Sequence, residues 1–198
     1  QLLDQDPDDL AERLAKIAPG PTPKKVFFTN SGAEAIEGAL KLARWHTERS
    51  RVVAFYGAFH GRTYAALTLT TSNVNYRTGH GPLVPDIHIA PFPNVYRDFG
   101  GNEEAATRMS LDHLERLFAT EIAPSRVAAV LIEPVLGEGG VHPATAEYLQ
   151  GIRALCDEVG ALSPDRAGRS LDQPVEETAE VLNVSPPTVM RDWDLAKA

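Results

Sequence analysis

The sequence predicts an α/β fold, a mostly parallel sheet with flanking helices. Three observations carry that expectation. Strand-like and helix-like patterns alternate through four pairs before residue 162. Residues 127–132 form an unbroken apolar run, the pattern of a parallel strand covered on both faces. Residues 26–29 run through a Ser-Gly corner directly into a helical pattern, the strand–turn–helix unit from which right-handed crossovers are built.

The elements follow in order. Asp6, Pro7, Asp8 and Asp9 open a first helix, with acids where the helix dipole favours them. Leu10, Leu14 and Ile17 give it an apolar stripe, and Pro19-Gly20-Pro21 ends it. Residues 26–29 read as a strand and 31–44 as a helix, with Ile36, Ala39, Leu40 and Ala43 on one face. Residues 51–56 are a second strand, closed by Gly57. The 64–69 segment reads as a helix and 73–85 as a polar, Gly/Pro-punctuated loop. Residues 87–90 are a third, short strand. A helix follows with Leu111, Leu114, Leu117 and Phe118 on one side. After the 127–132 strand, Tyr148, Leu149, Ile152, Leu155 and Val159 mark a last helix, closed by Gly160.

Composition narrows the function classes. With 198 residues and 43% apolar content, the chain can bury a core. Its net charge of −8 argues against a nucleic-acid or acidic-membrane surface over the whole chain. No apolar run approaches the roughly 18 residues of a membrane span. The first residues lack the basic start and apolar stretch of a secretory leader. A single cysteine, Cys156, lies in a helical apolar pattern and reads as a small core residue. Together these point to a reducing, cytoplasmic location.

The Ser-Gly corner is the first candidate site. A helix N-terminus aims free N–H groups at one point, and its dipole favours an anion there. Asn30 or Ser31 can cap the helix, and Gly32 removes a side chain that would hold an anion off. The residues alone support either a phosphate site or a plain capped surface helix. The turn Gly57-Ala58-Phe59-His60-Gly61-Arg62-Thr63 is the second candidate, because it leaves the C-terminal end of a strand. Phe59 can be a core residue or a ring platform, and Glu133 and Glu138 can belong to a site or to an acidic turn. The six histidines show no metal-ligand spacing, so no metal site is expected. Gly-x-Ser-x-Gly and His-Glu-x-x-His patterns are absent from the sequence.

Read together, three blocks resemble the class III aminotransferases that use pyridoxal 5′-phosphate (PLP), of the 4-aminobutyrate, ornithine and acetylornithine type. They are Phe27-Phe28-Thr29-Asn30-Ser31-Gly32-Ala33-Glu34-Ala35, Phe59-His60-Gly61-Arg62-Thr63 and Glu133-Pro134-Val135-Leu136-Gly137-Glu138-Gly139-Gly140, with Leu155-Cys156-Asp157-Glu158-Val159-Gly160 behind them. The resemblance covers roughly residues 1–162. It implies the type I PLP-dependent transferase fold and transfer of an amino group between an amino acid or ω-amino acid and a 2-oxo acid. Ser31, Gly32 and Ala33 would hold the cofactor phosphate. Phe59 would stack on the pyridine ring with His60 beside it. Glu138 would lie on the substrate side, and Glu133 would support the site from its strand end. The family works as homodimers with the active site at the interface.

The pattern breaks after Leu162. The family would continue with an aspartate that pairs with the pyridine nitrogen and a lysine that forms the Schiff base with the cofactor. Here the text turns to Ser163-Pro164-Asp165-Arg166, and only Lys197 follows. No lysine of the chain is therefore assigned a catalytic role. The expectation is a truncated domain over 1–162, a junction over 163–170 and a separate fragment over 171–198. Such a chain would be inactive by itself, would bind PLP weakly or not at all, and would make a poor dimer. The junction also fits a noncatalytic fusion fragment.

The 171–198 tail resembles the helix-turn-helix of extracytoplasmic-function RNA polymerase sigma factors. A short helix, an Asn183-Val184-Ser185 turn and a second helix make an α hairpin in which Thr188 and Arg191 would face DNA. Beyond residue 162, four basic residues stand against seven acidic ones, a poor footprint for phosphate binding.

Overall fold

In the computed structural model, residues 7–18 and 24–159 are described. The 171–198 hairpin, with Thr188 and Arg191, lies outside them.

Three parallel strands make the central sheet: β1 (Arg51–Phe55), β2 (Ile87–Ala90) and β3 (Val127–Val130), in the order β2-β1-β3. Val52 pairs with Ile87 and Phe55 with Ala90, while Val52 pairs with Ala129 on the other side across an irregularity next to Arg51. Strands that need helical crossovers are covered on both faces. Helices α1 (Pro7–Ile17), α2 (Gly32–Thr47), α3 (Tyr64–Leu69) and α4 (Val74–Arg77) precede β2 or flank it, and α5 (Val95–Phe99), α6 (Glu103–Thr120) and α7 (Ala146–Val159) follow. A small antiparallel pair, β4 (Val135–Leu136) and β5 (His142–Pro143), lies between β3 and α7.

The period of two along β1 sorts the core into two layers. Val52 and Ala54 join Ile36, Leu40 and Ala43 of α2 and Ala65, Ala66 and Leu69 of α3. Val53 and Phe55 join Leu114, Leu117 and Phe118 of α6 and Tyr148, Ile152 and Cys156 of α7. Tyr148 is fully buried between Phe55 and Phe92, edge-on to both at 6.2 and 6.0 Å, and its hydroxyl donates to the Pro91 carbonyl. A buried phenol needs such an acceptor. Cys156 is buried as expected, and burial pushes its thiol up to about 11. Buried Arg49 donates to the carbonyls of Val127 and Val159, tying β3 to the last turn of α7. A cation there meets the negative end of the helix dipole.

One expected strand does not form. Residues 26–29 are irregular, and Phe27 and Phe28 are 84% and 47% exposed. A strand exists only with a neighbour to share its ladder, and no described strand pairs with this segment. Both sides of β1 are taken, by β2 and β3. The 73–85 loop contains α4, whose start is held by the Asn73 side chain accepting from Asn75 N–H. The stripe of α1 is poorly covered, with Leu10 43% and Ile17 51% exposed.

Candidate functional site

Every candidate residue within the described region lies at or near the carboxyl ends of β1 and β3. The crossover from β2 to β3 passes to the opposite side of β1, so the sheet's connections diverge here. In open parallel sheets, ligand sites form beyond the strand ends at such a divergence.

The α2 corner is capped by side chains on both sides of its first turn, in a variant of the capping box in which the N3 glutamate reaches the residue before the N-cap. Ser31 is extended (φ −154°, ψ 158°), its Oγ accepts from Glu34 N–H at 3.2 Å, and Glu34 Oε2 accepts from Asn30 N–H at 2.8 Å. Ala35 N–H already bonds the Ser31 carbonyl. Among the described residues, the N–H groups of Gly32 and Ala33 have no acceptor. The Ser31 hydroxyl accepts once and keeps its own proton to donate.

The turn after β1 docks against this corner. Gly61 adopts φ +124°, and a Cβ there would stand 2.6 Å from Ala33 Cβ. Only a glycine admits that approach. Glu37 of α2 accepts from Ala65 and Ala66 N–H at 2.9 and 3.3 Å, so α2 also caps α3. His60 is 1% exposed, its backbone N–H donating to Thr70 Oγ1, whose one proton lies within reach of the carbonyls of both Gly61 and Ala66. Burial pushes the imidazole down to about 4, so it is neutral near pH 7.

The β3 end supplies the third piece. Glu133 is buried, and its two oxygens accept from Phe59 N–H (2.6 Å) and Gly137 N–H (2.9 Å). Desolvation raises its pKa; the two backbone bonds and nearby Glu138 act more weakly, the bonds lowering it. Gly139 passes so close that a Cβ there would collide with the Gly57 carbonyl oxygen. Glu138 is exposed and accepts from the hydroxyls of Ser72 and Tyr76. Phe59 is half-buried, edge-on to Tyr76 at 5.4 Å. It is thus neither a core residue nor a free surface ring.

Contacts therefore link the α2 corner, the 57–63 turn and the 133–140 loop into one region. Sequence reasoning missed Glu37, Ser72 and Tyr76. Glu37 sits on an expected polar helix face, and Ser72 and Tyr76 sit at and within a polar loop, so none carried a signal. Among the described residues, no group of three or more His, Cys, Asp or Glu side chains could hold a metal ion, and no helix is long and apolar enough to cross a membrane.

A parallel sheet flanked by helices on both faces, with the candidate loops linked to one another, defines an α/β domain. The chain belongs to the aminotransferase class-III family, whose pattern it matches over residues 2–163. It is 41% identical over 154 residues to a 5-aminovalerate aminotransferase of Pseudomonas aeruginosa, covering 78% of this chain and 35% of that protein. It is 38% identical over 155 residues to an isoleucine 2-epimerase of Lentilactobacillus buchneri, covering 78% and 34%. Its fold is similar to a taurine:2-oxoglutarate aminotransferase of Bifidobacterium kashiwanohense solved with PLP and glutamate. There the TM-score is 0.72 at 33% identity, over 81% of this chain and 37% of that one. The chain thus spans about a third of the length of the curated relatives it matches.

Proposed function

We propose that this chain carries the phosphate-binding and ring-stacking part of a PLP-dependent aminotransferase, acting on an amino acid or ω-amino acid and a 2-oxo acid. One observation carries the reading: the two unclaimed N–H groups of Gly32 and Ala33 open a 16-residue helix docked against Gly61, beside His60 and Phe59. When bound, PLP supplies the electron sink through which an amino group changes carbon skeletons.

The residues fit that cofactor. Gly32 and Ala33 N–H and the Ser31 hydroxyl offer three donors to a phosphate, reinforced by the α2 dipole. Phe59 presents a half-buried ring whose backbone is fixed by Glu133. His60 stays neutral and brings no second cation to the ring. Exposed Glu138 would lie on the substrate side.

Gly32→Pro tests the reading. Proline is tolerated at the first helical position and needs an extended residue before it, which Ser31 already is. The substitution removes one donor, sets a ring where Gly32 has no side chain, and keeps a residue suited to the first helical position. PLP affinity of the full chain, followed by titration, should fall about tenfold, the loss of one charge-assisted hydrogen bond. Unchanged affinity with an unchanged melting temperature would overturn the phosphate assignment.

A further inference from the structure

Tyr76 stands between two groups that belong to different loops. Its hydroxyl donates to Glu138 Oε1 at 2.8 Å. Its ring meets Phe59 edge-on, centroids 5.4 Å apart and planes at 66°. The other Glu138 oxygen accepts from Ser72. Ser72 N–H donates to the Ala58 carbonyl at 3.1 Å, one residue before Phe59. The 72–76 segment therefore grips the Phe59 turn by backbone and ring, and both oxygens of Glu138 by hydroxyls.

We propose that Tyr76 is a positioning residue that couples the Phe59 ring to the Glu138 carboxylate, so that ring platform and acidic group are set as one unit. The proposal rests on reading Phe59 as the platform for the cofactor ring. A hydrogen bond from a phenol to a carboxylate is charge-assisted, hence stronger and more directional than one between neutral groups. Edge-to-face aromatic contact fixes ring orientation as well as distance. With both made by one side chain, a displacement of Glu138 is transmitted to Phe59 through a rigid phenyl ring. A ligand cation, an ammonium or guanidinium group, that takes an oxygen of Glu138 competes there with the Tyr76 or Ser72 hydroxyl and draws the carboxylate toward itself. Its arrival is then felt at the ring platform.

The full-length chain is titrated with PLP while the induced circular dichroism of the bound ring is followed. Four proteins are compared: wild type, Glu138→Ala, Tyr76→Phe and the double variant. Tyr76→Leu is added to remove the ring contact. Glu138→Ala should alter the induced signal when Tyr76 is present and leave it unaltered in the Tyr76→Phe background, the mark of a coupled pair. Tyr76→Leu should weaken PLP binding about fivefold, as expected for a lost aromatic contact. Equal effects of Glu138→Ala in both backgrounds, or full affinity in Tyr76→Leu, would overturn the coupling. If wild type binds no PLP, the functional reading fails, and the coupling is decided by trypsin cleavage after Arg77. Tyr76→Leu and Glu138→Ala should each speed that cut about threefold or more, because local opening exposes the segment. Wild-type cleavage rates in both would overturn the proposal.

Discussion

The Phe59 amide and the Glu133 carboxylate, 74 residues apart in sequence, are joined by a 2.6 Å hydrogen bond. The contact fastens the turn after β1 to the loop after β3. It uses one carboxylate oxygen, and Gly137 N–H takes the other. A buried acid with both oxygens committed to backbone donors cannot be replaced by its amide without setting one N–H against an NH2 group.

Glu133→Gln should therefore cost about 1–3 kcal/mol of stability, the price of a buried donor left unmatched. Urea denaturation measures it. The pH dependence adds a second check. Burial raises the folded pKa of Glu133 above its ordinary value of 4.5, so the folded state holds the proton more tightly. Its contribution to stability is then present below pH 4.5 and lost as pH rises through the folded pKa. The Gln variant should lack that decline.

His60 acts with the opposite sign. Its folded pKa is pushed down from 6.5 to about 4, so the unfolded chain binds the proton more readily between these values. Stability contributed by the neutral ring is full above pH 6.5 and lost as pH falls toward 4. The loss is on the order of 3 kcal/mol for a shift of this size. Acid denaturation of His60→Leu, set beside wild type, should show a shallower slope across that window. An equal slope would mean that the imidazole protonates in place.

Gly61→Ala places a methyl 2.6 Å from Ala33 Cβ at φ +124°. Strain and collision together should destabilise the chain by about 2–4 kcal/mol. Because the collision falls between the α2 corner and the turn, PLP affinity should drop further than stability predicts. Calorimetry and ligand titration on one preparation separate the two.

The Tyr76 phenol is raised above 10.0, first by its hydrogen bond to Glu138 and next by the charge of that carboxylate, with Arg62 opposing. Glu138→Gln should bring the phenol back down. Ultraviolet difference titration reads it, with Tyr76→Phe subtracted to remove the other tyrosines.

Much of this architecture was legible in the residues because it is local. The strand at 87–90 and the helix at 64–69 match β2 and α3 to the residue, and β1 and β3 stop one and two residues short of expectation. At the end of β3 the ladder continues as a single bond from Leu131 N–H to the Val53 carbonyl. A cap at Asn30 or Ser31 was readable because capping is a local preference of short polar residues before a helix, and the structure makes Ser31 the cap. The 26–29 segment misled because its apolar residues state a preference, while a strand also needs a partner drawn from elsewhere. Helix α5 went unseen: it is five residues long, and its ends rest on Asn94 and on Gly100 at φ +57°. Tyr76 was invisible for a related reason, since its importance lies wholly in two residues distant in the chain.

The pair of hydrogen bonds that Ser31 and Glu34 make across the start of α2 has a thermodynamic consequence. The corner holds its shape through its own side chains, so the phosphate site proposed above would be already built and would have no segment to order. Association there should carry little conformational entropy cost and only a small heat-capacity change, the signature of a rigid lock instead of a folding event.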